Sequence, residues 1–262
     1  MRDATIGCAE ALARLDAFDA VIDVRSPSEF ADDRIPGAIS CPVLDDDERC
    51  RVGTQYAQES AFAARRQGAA LVARNIARHL EVSFASMPRQ WRPLVYCWRG
   101  GQRSAAMAHV LGSVGWPVRR LDGGYRAFRR QVLADLAELP RRFRLRIVCG
   151  PTGSGKSRLL RHLAQRGAQV LDLEWLARHR GSVLGALPAS PQPSQKHFET
   201  QLWSSLRSFD PQQPVFVESE SRRVGRLRLP DALLEHGPAA ERVALRLPAE
   251  ARPPLRRHEY AH

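Results

Sequence analysis

Leu145-Arg146-Ile147-Val148-Cys149-Gly150-Pro151-Thr152-Gly153-Ser154-Gly155-Lys156-Ser157 decides the fold class. A run of strand character enters a loop with glycine first, glycine sixth, then lysine and serine. At that spacing backbone N–H groups can wrap a phosphate, the lysine reaches the terminal phosphates and the serine hydroxyl can hold Mg²⁺. Helical spacing resumes over residues 158–165, so the loop joins a strand to a helix. The phosphate-binding set is Gly150, Thr152, Gly153, Ser154, Gly155, Lys156 and Ser157. The cradle reads phosphate geometry and leaves open whether the ligand is ATP, another nucleotide or neither. Further strands are expected at 170–173, 215–218 and 242–247, and strand–helix alternation implies a parallel sheet covered on both faces. Two of these strands end in acids, so Asp172, Glu218, Glu220 and Arg222 form a candidate polar site that could orient a metal near the phosphates. Acids capping a following helix are the alternative.

A second anion loop lies upstream, in Leu94-Val95-Tyr96-Cys97-Trp98-Arg99-Gly100-Gly101-Gln102-Arg103-Ser104. A reactive cysteine must be a thiolate. Cys97 follows a strand and precedes a helix, where backbone N–H groups can converge. Gly100 and Gly101 permit the positive φ of a tight curl. Arg99 and Arg103 add planar cationic forks suited to oxyanions. The catalytic candidate is Cys97, with Arg99, Gly100, Gly101 and Arg103 as its anion cradle. A persulfide, selenosulfide, thiosulfate or phosphate would fit. Cys97 followed six positions later by Arg103 and Ser104 also matches the cysteine-phosphatase signature, which the loop alone leaves open.

The 262 residues carry 40 Lys+Arg against 28 Asp+Glu, a net charge of +12, mostly arginine. Such a surplus favours a polyanionic partner, although a GC-rich genome produces the same bias without functional meaning. At 44% hydrophobic and 26% charged the chain is an ordinary globular protein. No apolar run approaches the roughly 20 residues of a membrane span, and the N-terminus lacks a signal-peptide pattern. Five cysteines at irregular spacing do not form a disulfide framework, and no Cys or His pair has zinc-ligand spacing, so no metal centre is expected. A reducing, cytoplasmic setting follows.

Ahead of the cysteine loop, a helix is expected from about residue 8 to 15, a buried strand at 20–24, a helix start at Ser26-Pro27 with Glu29, a short strand ending near Cys41 and a helix over about 59–84. Behind it come a helix at 104–111, a strand at 118–121, a turn at 122–125 and a connecting helix at 126–139 stopped by Pro140. Arg141, Arg142, Arg144 and Arg146 suit a solvated junction. The expected organisation is a first domain over 1–135, a linker over 136–143 and a second α/β domain over 144–262, with a Pro-rich loop at 186–194.

Asp23-Val24-Arg25-Ser26-Pro27-Ser28-Glu29-Phe30, with Arg34-Ile35-Pro36-Gly37-Ala38, resembles the opening signature of rhodanese domains, and Leu121-Asp122-Gly123-Gly124-Tyr125 resembles their closing strand and turn. A rhodanese-like domain followed by a P-loop NTPase-like domain is similar to the tRNA 2-selenouridine synthase family. Val52-Gly53-Thr54-Gln55-Tyr56, Gly68 to Ile76, Asp172-Leu173-Glu174, His179-Arg180-Gly181-Ser182, Gln192 to Lys196, Phe198-Glu199 and Glu218 to Arg222 extend the likeness. The resemblance implies a transferase that replaces the sulfur of wobble 2-thiouridine in tRNA with selenium from selenophosphate. It implies an S-geranyl intermediate made from geranyl diphosphate. Carried over, Cys97 is the nucleophile or selenium handler, and residues 150–157 hold a phosphate or diphosphate. Family members usually continue for roughly another hundred residues, so the second domain is expected to be incomplete. A phosphatase with a nucleotide-binding domain, and an inactive tRNA- or phosphate-binding fragment, stay open at this point.

Overall fold

A computed structural model describes residues 5–151, 154–180, 185, 190–236 and 240–246. The chain divides into two compact units, Met1–Gln131 and Val132–His262.

The first unit is built on a parallel five-stranded sheet: β1 (Thr5–Ile6), β2 (Ala20–Asp23), β3 (Ala38–Ser40), β4 (Pro93–Tyr96) and β5 (Arg119–Leu121), in the order β1-β5-β4-β2-β3. Its helices are α1 (Cys8–Ala13), α2 (Pro27–Asp32), α3 (Asp46–Gln58), α4 (Ala61–Val82) and α5 (Gln102–Val114), with α6 (Gly124–Glu138) running across the division. The central strands are short continuous apolar runs because both faces are covered; Ile22, Leu94, Val95 and Tyr96 are fully buried. One face packs Ile22, Val95, Met107 and Leu111 with Phe84 and Trp91, whose rings lie 5.1 Å apart.

The second unit has a parallel sheet of β6 (Leu145–Cys149), β7 (Gln169–Leu171), β8 (Val215–Glu218) and β11 (Glu241–Ala244), ordered β11-β6-β8-β7. α7 (Lys156–Gln165), α8 (Leu173–Ala177), α9 (Gln195–Ser208) and α10 (Asp231–His236) accompany it, with a small antiparallel hairpin of β9 (Arg223–Val224) and β10 (Leu227–Arg228). Both units are α/β with parallel main sheets, as expected. Among the described residues no helix is long and apolar enough to cross a membrane.

Several details differ from the sequence expectations. α3 was not anticipated, since Glu48 is its one buried residue and no apolar stripe marks it; its start is signalled instead by the Asp45–Glu48 capping box. α9 was likewise unassigned, although Ser194 caps it by accepting from the His197 amide. Leu173, expected at the end of a strand, opens α8, because Asp172 accepts the Trp175 amide and starts the helix. Gly124, expected within a turn, already begins α6. Residues 136–143 complete α6 and continue into a 3-10 turn over Leu139–Arg142. The arginines there have local partners: Arg141 pairs with Glu138 and Glu235, Arg144 donates to Gln212 O, and Arg146 pairs with Glu241.

Candidate functional site

The chain carries one candidate site in each unit. In the first, β4 ends at Tyr96, the chain curls through Cys97–Gly101 and α5 departs at Gln102. The curl is held from outside by its carbonyls. Cys97 O accepts from Tyr125 N at 2.8 Å, Trp98 O from Arg126 N at 3.0 Å, and Gly100 O from Arg120 Nη1. Among the described residues the amides of Trp98, Arg99, Gly100 and Gly101 donate to no protein acceptor. A row of unspent N–H groups at a helix start is an arrangement that can hold an anion.

Cys97 is 3% exposed. Its Sγ lies 3.2 Å from Ser104 Oγ and 3.9 Å from Gly101 O. Ser104 Oγ is also 3.1 Å from Gly101 O, to which it can donate. Turned toward a thiolate instead, the same hydroxyl proton would stabilise its charge. The cradle residues divide in role. Gly100, at φ +66°, makes the curl, since a Cβ there would lie 2.8 Å from Leu121 O. Gly101 caps α5 at φ −91° with open space around it, so the positive φ expected of it is absent. Arg99 is exposed. Arg103 Nη1 donates to Glu29 Oε2 at 2.9 Å, and Arg49 pairs with the same carboxylate. Burial opposes ionisation of Glu29, yet the Arg103 hydrogen bond and charge outweigh it and hold the carboxyl below its ordinary value.

Sequence reasoning missed Gly124 as the residue that lets α6 close on this loop. At φ +55°, a Cβ there would fall 2.2 Å from Cys97 O and 2.5 Å from Gly100 N. Beneath the loop, Trp98 stacks on Tyr125 at 5.3 Å, and Tyr125 donates to Asp33. The buried Arg25 guanidinium lies 4.0 Å from the Tyr125 ring centre, pairs with Asp23 at 2.7 Å and donates to Asp33 O. Asp23 and Arg25 were legible as a signature; their work as the floor of the Cys97 loop was not.

In the second unit β6 leads into the phosphate loop and Gly155, at φ +85°, starts α7. Thr152 and Gly153 lie outside the described residues. Gly150 leaves room for Ser154, whose Oγ would be 2.5 Å from a Cβ; that hydroxyl is buried without a partner among the described residues. Lys156 Nζ donates to Gly150 O at 3.0 Å, and Ser157 Oγ to Glu174 Oε2 at 3.0 Å. Glu174, quoted at the sequence level within the Asp172-Leu173-Glu174 likeness and not as a site residue, is therefore the acid that meets the loop at Ser157. Its signal was the Asp-Leu-Glu spacing, which puts it in the first turn of α8 behind the Asp172 cap.

Glu218 Oε1 accepts the Glu174 amide at 2.7 Å, while its Oε2 is buried without a partner among the described residues. Burial, then the Asp172 charge, pushes the Glu218 carboxyl up to about 9. Burial and the Glu174 charge raise Glu220 to about 7, against the pull of Lys156. Burial raises Asp172 as well. Burial and mutual charge thus favour the protonated forms of these acids. Arg222 is exposed in the loop after β8, and its carbonyl accepts from Leu229 N. An apolar cavity of about 220 Å³ lies along the sheet face, lined by Leu145, Ile147, Cys149, Val217, Leu229 and Leu233, with Glu218 and Glu220 also on its wall.

Residues 8–131 match the rhodanese-like domain family, and residues 143–262 match the family described as tRNA 2-selenouridine synthase AAA domain. The chain is 36% identical over 255 residues to the tRNA 2-selenouridine synthase of Aeromonas salmonicida, covering 96% of this chain and 67% of that one. The chain belongs to the tRNA 2-selenouridine synthase family. Another family member, the tRNA 2-selenouridine synthase of Nitrosomonas europaea, is 37% identical over 240 residues. This chain spans 62% of the Nitrosomonas relative's length. Both candidate sites of this family member lie within the matched regions.

Proposed function

We propose that the chain performs the family's tRNA modification, replacing the sulfur of wobble 2-thiouridine with selenium from selenophosphate through an S-geranyl intermediate. The thiocarbonyl sulfur attacks C1 of geranyl diphosphate, the C–O bond breaks and diphosphate leaves. Selenophosphate then adds through its selenium at C2 of the base, geranylthiol departs, and water cleaves the Se–P bond to release phosphate and leave the selenium on the base. The phosphate loop would hold the diphosphate through its amides and Lys156, with Ser157 close by. Cys97, in its ring of unspent amides, would handle the selenium donor. Such work belongs in the cytoplasm, where tRNA is.

The observation that carries this reading is the pair of loops: an unspent amide row at Cys97 and a lysine-bearing phosphate loop beside an apolar cavity. The cavity supports the geranyl part. An apolar void of about 150 Å³ holds a six-carbon ring, so 220 Å³ has room for a chain of about nine or ten carbons along its leucine-rich side, with Glu218, Ser219, Glu220 and Arg242 on the polar side. Among the described residues no three Asp, Glu, His or Cys side chains gather to hold a metal. Mg²⁺ would thus depend on oxygens of the diphosphate, with Ser157 and the partnerless oxygen of Glu218 as the fitting protein groups. When bound it would neutralise the leaving group. The phosphatase alternative requires Arg103 to fork onto a phosphate, whereas its Nη1 already donates to Glu29 Oε2.

The test is incubation with 2-thiouridine tRNA, geranyl diphosphate and selenophosphate, followed by nucleoside mass spectrometry. Cys97→Ala should stop selenium incorporation, and Lys156→Ala should weaken geranylation at least tenfold. Full geranylation by Lys156→Ala would refute the diphosphate assignment. Cys97-dependent hydrolysis of an aryl phosphate, with the tRNA untouched, would refute the whole reading.

A further inference from the structure

α3 and α4 form a helical hairpin between β3 and β4, and the Cys97 loop makes no use of its outer face. Its inner face is explained by packing. Gly68 lets the helices approach, since a Cβ there would lie 3.3 Å from Val52 Cγ1. Asn75 ties the hairpin down by donating to Glu48 Oε2 at 2.7 Å and to Val43 O at 3.1 Å. These contacts account for Val52, Gly68 and Asn75. They leave Tyr56 and the outer face of α4 without a structural role.

That outer face is basic. Arg65, Arg66, Arg74 and Arg78 are all exposed along α4. At 100° per residue Arg66, Arg74 and Arg78 fall on one face, and Phe62 continues the same stripe one turn before Arg66. From Phe62 to Arg78 the stripe runs about 24 Å. Ala69, Ala70, Ala73 and Ala77 fill the positions between and would let the guanidinium groups reach a broad surface. Among the described residues none of these arginines pairs with a carboxylate; Arg65 Nε donates only to Ala61 O. Glu81 is the one acid of α4, and Glu59, at the tip, is engaged by Gln55. At the same tip, Phe62 is 73% and Tyr56 61% exposed, two large aromatics that burial does not explain.

We propose that this face is where the chain grips RNA, with Arg66, Arg74 and Arg78 on the phosphate backbone and Phe62 and Tyr56 at the tip stacking on unpaired bases. The argument is one of complementarity. Phosphate contacts supply most nucleic-acid affinity, and single-stranded loops are recognised by aromatic stacking next to basic side chains. Large aromatics exposed beside unpaired arginines are the combination that unstacked bases next to phosphates select. The proposal rests on the tRNA reading above and adds the docking surface to it.

Fluorescence anisotropy of a labelled anticodon stem-loop RNA with the full chain, over a salt series, tests it. Arg66→Gln/Arg74→Gln/Arg78→Gln should weaken binding by about 100-fold at low salt and flatten the log–log salt slope by about 2 to 3. Phe62→Ala should cost about tenfold with the slope unchanged. Arg14→Gln/Arg89→Gln/Arg119→Gln removes the same charge from exposed positions elsewhere in the unit and should cost less than fivefold. Equal losses in the two triple variants would overturn the assignment, as would equal affinity for polyglutamate, which would make the face a general cation patch. If wild type binds no RNA, the tRNA reading itself fails; if it binds and the stripe variant matches it, only this surface fails. Circular dichroism melts check that the variants remain folded.

Discussion

Replacing Gly124 by alanine would open the Cys97 loop from outside without touching any residue in it. The new Cβ would lie 2.2 Å from Cys97 O, 2.5 Å from Gly100 N and 3.1 Å from Arg99 C. All three are backbone atoms, so no side chain can swing away, and the loop or the start of α6 must move by about 1 Å to restore van der Waals contact. That displacement breaks the bonds from Tyr125 N to Cys97 O and from Arg126 N to Trp98 O, about 1 kcal/mol each. Holding alanine at φ +55° adds about 1 kcal/mol, and loosening the Trp98–Tyr125 stack up to about 1 more. The expected loss is about 3–4 kcal/mol, with Cys97 becoming more accessible. Gly101→Ala is the control. Its surroundings are empty and its φ is −91°, so the change should lie within about 1 kcal/mol of wild type. Urea unfolding followed by tryptophan fluorescence measures the stabilities, and iodoacetamide labelling with peptide mapping measures the thiol. A Gly124→Ala protein as stable as Gly101→Ala, with Cys97 labelled no faster, would refute the view that the close approach of α6 shapes the loop.

Arg25→Met leaves Asp23 buried and unpaired and should destabilise the first unit by about 3–5 kcal/mol; a urea midpoint equal to wild type would contradict the floor assigned to this pair. Glu218 has a folded value near 9 against an ordinary 4.5, so its contribution to stability is fully present below about pH 4.5 and is lost as pH rises through 9. Glu218→Gln, whose amide oxygen can still accept the Glu174 N–H, should remove several kcal/mol of this alkaline destabilisation. Thermal midpoints across pH would then be flatter than in wild type, and unchanged curvature would count against the burial argument. Cys50 is exposed, whereas Cys41 is buried and burial, then the Asp23 charge, pushes its thiol up to about 11. At neutral pH a thiol reagent should therefore modify Cys50 long before Cys41, and comparable rates in the folded protein would sink the point.

Much of the architecture was legible because strand periodicity, capping chemistry and loop glycines are local. β6 followed by Gly150–Ser157, and β4 followed by Cys97–Ser104, each declared a strand–loop–helix unit. α3 went unread for an equally local reason: its buried residue is Glu48, so no apolar stripe betrayed it. The candidate site was legible in its anion loops but not in the groups that support them. Gly124 and Tyr125 lie far along the chain from Asp33 and from the Asp23–Arg25 pair, and no spacing rule links them.

Sequence by itself determined that there are two α/β units, where each anion loop sits and which side chains could carry chemistry, since these depend on backbone runs of about ten residues. Tertiary structure alone decided that Arg103 is held by Glu29, that Gly101 is roomy while Gly124 is crowded, and that Glu174 rather than Asp172 meets Ser157. The physical reason is that hydrogen bonds, close contacts and buried charge depend on distance in space. Parallel sheets bring residues together across long crossovers whose packing no local pattern encodes.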